Sequence, residues 1–99
     1  MNASVKFLGS EVSKTSIATA WAELVPAGDG SRAGVLVRNM TGVAIEVSNL
    51  ETGNGAGSYG WYQVAAGATF YVPYPGPDAV YYKAATATSG EIIAQAVGA

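Results

Sequence analysis

Apolar positions along this chain recur in short bursts separated by turn-forming residues, with a spacing of roughly ten residues, and this pattern predicts antiparallel strands. Val43, Ile45 and Val47 alternate with Ala44, Glu46 and Ser48, which turns one face of a strand toward a core and the other toward solvent or a partner. Gly34-Val35-Leu36-Val37-Arg38-Asn39 contains a consecutive apolar run instead and predicts a strand covered on both faces. A tight turn over Asn39 to Gly42 then joins these two segments as a hairpin.

Further strands are expected at Ala3 to Leu8, ending at Gly9-Ser10, and at Trp61 to Val64, Thr69 to Val72, Ala79 to Lys83 and Glu91 to Val97. Leu50 to Ser58 is too rich in Gly, Asn and Ser to hold a ladder, so a mobile surface loop is expected there. Pro73, Pro75 and Pro77 each fix φ and remove a backbone donor, which makes their segment a rigid crossover or corner. Ser16 to Val25 fits two templates: Ile17, Trp21 and Leu24 have helical spacing, while Ile17, Thr19, Trp21, Glu23 and Val25 suit one strand face. Consistency with the rest of the chain favours the strand. The expected fold is therefore all-β, a small antiparallel sandwich or barrel-like domain of seven or eight strands. Residues 1–15 read as an N-terminal arm or first strand, and residues 16–99 as a single domain.

Composition narrows the chemistry. The chain has neither cysteine nor histidine, which removes disulfides, thiolate nucleophiles, Ser-His-Asp catalysis and ordinary zinc sites. A carboxylate pair drawn from Glu11, Glu23, Asp29, Glu46, Glu51, Asp78 and Glu91 would be the remaining catalytic arrangement. Most of these fall in turns or at outward strand positions, so no enzymatic activity and no cofactor are expected. Asp29-Gly30-Ser31 and Pro77-Asp78 lack the dense acidic spacing of a calcium loop, and turn chemistry accounts for both. The five basic residues are scattered and the net charge is −2, so no direct contact with nucleic acid is expected. No signal-peptide pattern and no apolar run long enough to cross a bilayer occur, which predicts neither signal-directed secretion nor membrane insertion. Only 12% of residues are charged, and a surface so poorly charged points to one that neighbours cover in an assembly.

The aromatic residues Tyr59, Trp61, Tyr62, Tyr71, Tyr74, Tyr81 and Tyr82 are numerous for this length. In the pairs Trp61/Tyr62, Phe70/Tyr71 and Tyr81/Tyr82, alternation sends one member into the core and the other outward. Outward aromatics can anchor a protein interface or stack on sugar rings.

The order Val35-Leu36-Val37-Arg38-Asn39, Thr41-Gly42, the Ile45/Val47 strand, Ala66-Gly67-Ala68, Asp78-Ala79-Val80-Tyr81-Tyr82 and a closing Gly90/Ile92 strand resembles small β domains of tailed-phage virion proteins. The likeness covers residues 32–97 and is greatest to capsid decoration (cement) and head-fibre base modules. The chain departs from the pattern in the Gly53 to Gly60 loop and the Pro73 to Pro77 corner. The resemblance implies a non-enzymatic protein, made in a bacterial host's cytoplasm, that binds the outer face of a phage head and stabilises it. Its implied partner is the major capsid protein, with a second copy of the chain as another. A neck, tail or fibre-base role is the related alternative, and a carbohydrate- or host-surface-binding module is the competing class. Ala3 to Leu8 is a candidate docking strand that could add to a partner's sheet edge, and an ordinary first strand fits it equally well. The partner-binding candidates are thus Val5, Phe7 and Leu8 in the arm, and Trp61, Tyr62 and Tyr74 among the aromatics.

Overall fold

β-Branched residues at alternate positions build two facing sheets in the computed structural model, which describes residues 6–28, 30–53 and 55–98. In chain order the strands are β1 (Lys6–Lys14), β2 (Ala22–Val25), β3 (Arg32–Thr41), β4 (Ile45–Ser48), β5 (Trp61–Val64), β6 (Thr69–Val72), β7 (Val80–Ala84) and β8 (Gly90–Gly98). One four-stranded sheet has the order β1-β8-β3-β6 and the other β2-β7-β4-β5, with every pairing antiparallel. This strand order is that of an eight-stranded jelly roll. The expected all-β sandwich is present.

Val35, Val37, Val72, Ile92 and Ala94 from the first sheet meet Leu24, Ile45, Val47, Val64, Val80 and Tyr82 from the second. The Tyr81/Tyr82 pair divides as alternation requires, and Tyr62 faces the core, whereas Phe70 and Tyr71 are both exposed, at 40% and 43%. Tyr62 and Tyr82 turn inward, and Phe70 lies against Tyr62 with ring centroids 5.8 Å apart, while Trp61, Tyr71 and Tyr81 occupy the alternate positions.

The structure corrects four other sequence expectations. The Asn39 to Gly42 turn does not close a hairpin, because β3 and β4 belong to different sheets. The buried Asn39 side chain and Thr41 take up the turn's polar groups, so the chain arches from one sheet to the other without pairing its two arms. The first strand does not end at Gly9-Ser10. Gly9, at φ 70°, shifts the pairing register between Leu8 and Val12, and the strand continues past this bulge to Lys14. Residues 16–21 are irregular, and strand structure begins only at Ala22. The Tyr82 hydroxyl accepts from the Ala18 amide and donates to the Ser16 carbonyl, holding this segment as it crosses between sheets. Finally, β3 is covered on one face only: Val35 and Val37 are fully buried, whereas Leu36 is half-buried and Arg38 and Met40 are exposed.

The Pro73 to Pro77 segment is the expected corner, and Arg32 braces it. Its backbone carbonyl accepts from the Gly76 amide and its Nε donates to the Tyr74 carbonyl at 2.9 Å. The long loop after β4 has tight turns closed by Gly53 N to Leu50 O and Ser58 N to Gly55 O. Gly53 lies so close to the Trp21 indole that a Cβ there would fall 2.1 Å from the ring.

Candidate interaction surface

Two outer faces and a slot at one side of the sandwich are the places where this fold can meet another molecule. On the outer face of the β1-β8-β3-β6 sheet, register places Leu36 beside Gln95 and Tyr71, Arg38 beside Ile93 and Thr69, and Met40 beside Glu91. Phe7, across from Val97, continues the same face on β1. Phe7 is 62% exposed and Met40 52%, so apolar side chains stand out where a solvated sheet would carry charges. Several of the polar groups among them bond within the domain, while the exposed Arg38 and Glu11 keep charge at the surface. Arg38 Nε donates to Thr69 Oγ1 at 3.3 Å, the Ser13 hydroxyl donates to Glu91, and Gln95 Nε2 donates to the carbonyls of Leu8 and Gly9, bracing the bulge.

The outer face of the other sheet has a different character. Trp61 Nε1 donates to Glu46 Oε1 at 2.8 Å, Glu46 Oε2 lies 3.8 Å from Lys83 Nζ, and Lys83 sits over the Trp21 ring at 5.3 Å. This row crosses the sheet with a tryptophan at each end and an ion pair between them.

Six residues were expected to bind a partner, and the structure does not gather them into one site. Val5 lies outside the described residues. Phe7 and Leu8 are neighbours on β1 and alternate in facing, Phe7 across from Val97 and Leu8 across from Ala96, and both border the slot described below. Trp61 belongs to the tryptophan row. Tyr62 turns inward and meets Tyr74 edge-on at 5.5 Å. Tyr74 is only 4% exposed, and its hydroxyl engages the carbonyls of Val47 and Gly60. It anchors the proline corner and offers no surface to a partner. Leu36, Met40 and Ile93 were missed because a continuous apolar run reads as two-sided burial. The available signal was Arg38 interrupting that run in phase with Leu36 and Met40.

Burial pushes the Tyr74 phenol well above its ordinary value of 10.0, with Tyr62 adding to the effect. The folded state thus holds this proton more tightly than the unfolded chain. The resulting stabilisation is complete below about pH 10 and is lost as pH rises beyond it toward the folded-state value. Urea titrations at stepped alkaline pH should show a steeper loss of stability for the wild type than for Tyr74→Phe, which has no phenolic proton at that position. Equal slopes would contradict the assignment.

No helix among the described residues is long and apolar enough to cross a membrane, and no cluster of three or more potential metal-ligating carboxylates occurs among them. No protein family, curated protein or solved structure matches the chain.

Proposed function

We propose that this chain is a non-enzymatic virion protein that decorates the outer surface of a tailed-phage head, binding the major capsid protein and stabilising the shell. The observation that carries the reading is the cluster of exposed and half-buried apolar side chains on one outer face, Phe7, Leu36, Met40, Tyr71 and Ile93, with Arg38 and Glu91 among them. Exposed apolar area of this kind is favourable to cover, and modest contacts repeated over a symmetric lattice add up to tight attachment. The resemblance over residues 32–97 supports the same reading, as does jelly-roll connectivity, which virion and lectin domains share, though only by analogy of fold. Lys6 to Leu8, ahead of the bulge on the edge strand β1, provide a second contact by pairing with a neighbouring sheet edge.

Placing a charge at Met40 and at Phe7 tests the face directly. Both side chains are exposed, so the Met40→Glu/Phe7→Glu variant should melt within a few degrees of the wild type. It should nevertheless lose at least roughly a hundredfold in binding to heads stripped of the protein, measured by co-sedimentation. Undiminished attachment by a folded double variant would remove this face from the interface.

The tryptophan row on the opposite sheet supports a second reading, a carbohydrate-binding module, since flat aromatic rings stack on sugars. Binding on a glycan array that disappears in Trp61→Ala would favour it.

A further inference from the structure

Between the edge strands β1 and β2 the two sheets part to leave a slot of about 460 Å³. Leu8, Val12, Val25, Pro26, Ala94 and Ala96 supply most of its apolar wall. Arg32 also lines it, and among the described lining residues Arg32 alone carries a charge. This arginine is 6% exposed, and its side chain bonds main-chain carbonyls, with Nε donating to Tyr74 O at 2.9 Å and Nη2 to Asp78 O at 2.7 Å. No carboxylate of the described residues comes within ion-pair distance of it, although the Asp78 carboxylate acts on its charge from farther away. Nη1 has no hydrogen-bond partner among the described residues. Nη1 and the second Nη2 hydrogen together form the fork that fits a carboxylate.

We propose that this slot binds a small amphiphilic monocarboxylate, its acid group on Arg32 and its apolar stem between β1 and β2. The volume lies in the range of small-molecule sites. A single cation in an apolar wall matches a singly charged head, whereas a phosphate would bring a second, uncompensated charge into the slot. The rims argue against an inserted peptide strand. The β1 bulge lies along the slot, the register of β2 shifts between Glu23 and Val25, and Pro26 has no backbone donor, so neither rim offers an unbroken run of partners.

Calorimetric titration of the intact protein with hexanoate, octanoate and octanol, followed by amide chemical shifts, tests the proposal. Octanoate should bind saturably and shift amides of β1 and β2. Affinity should rise roughly tenfold for the two added carbons, and octanol should bind roughly ten- to a hundredfold more weakly than octanoate. Arg32→Gln should erase the preference for acid over alcohol. If that variant does not fold, Ala96→Leu, which fills the slot and leaves Arg32 in place, should abolish binding of both. Absence of saturable binding, equal affinity for octanoate and octanol, or binding undiminished in Ala96→Leu would overturn the proposal. So would slot amides that respond to protein concentration and not to octanoate, since a second copy would then be the occupant.

Discussion

Asn39→Leu should lower the stability of this domain by about 3–5 kcal/mol, the combined effect of stranding buried polar groups. Asn39 is fully buried between the sheets. Its Nδ2 donates to Val43 O at 2.8 Å and Val64 O at 3.0 Å, and its Oδ1 accepts from the Thr41 amide at 3.0 Å and the Thr41 hydroxyl at 2.6 Å. Leucine fills a similar volume and provides none of these bonds. The Thr41 hydroxyl can still serve Val43 O at 2.9 Å, so the loss falls on Val64 O and the Thr41 amide. For a domain of this size the melting temperature should fall by roughly 15–30 °C. Asn39→Asp should do at least as badly at neutral pH, because a carboxylate has no hydrogen to offer two carbonyls and must either be buried charged or take up a proton at a cost. Thermal unfolding followed by circular dichroism measures both. A drop of less than about 1 kcal/mol in Asn39→Leu would show that the arch does not depend on these bonds.

Gly90→Ala should have the second largest effect, about 3 kcal/mol or more, from strain and a main-chain collision together. Gly90 opens β8 at φ 118°, a conformation that residues with a Cβ rarely adopt. An added Cβ would lie 2.4 Å from the Met40 carbonyl oxygen and 3.0 Å from the Thr41 Cα, both backbone atoms of β3. No rotamer change can relieve that contact, so the β3/β8 ladder must separate at its Thr41/Gly90 end. Gly76→Ala is the matched comparison. Gly76 has φ 86° and open space around it, so that change should cost only about 1–2 kcal/mol of backbone strain. Equal destabilisation by the two substitutions would mean that the collision at Gly90 is absorbed.

These two residues also show where sequence reasoning succeeded and where it stopped. The strand at Ile45 and Val47, with both side chains buried, was legible because alternation follows from the two-residue period of a strand, although Val43 falls in the bend before it and β3 is covered on one face only. Sheet membership was not legible. Asn39-Met40-Thr41-Gly42 has the composition of a hairpin turn, and only its buried side-chain bonds show that it joins two sheets. Gly9 and Ser10 likewise read as a strand end, since a bulge and a terminator call for the same glycine. At the surface, Phe7 is exposed, as a partner-binding candidate must be, whereas Tyr74 is buried, and a tyrosine between prolines gives no sign of where its hydroxyl will bond. The slot could not be foreseen at all. It is formed by residues from β1, β8, the end of β2 and Arg32, which come together only once the two sheets face each other.

The most direct test of the proposed role is the number of copies of this chain per purified particle, counted by quantitative mass spectrometry against the major capsid protein. Decoration of the head predicts a copy number comparable to that of the major capsid protein. A handful of copies would place the chain at a neck, tail or fibre base, and its absence from particles would contradict a virion role altogether.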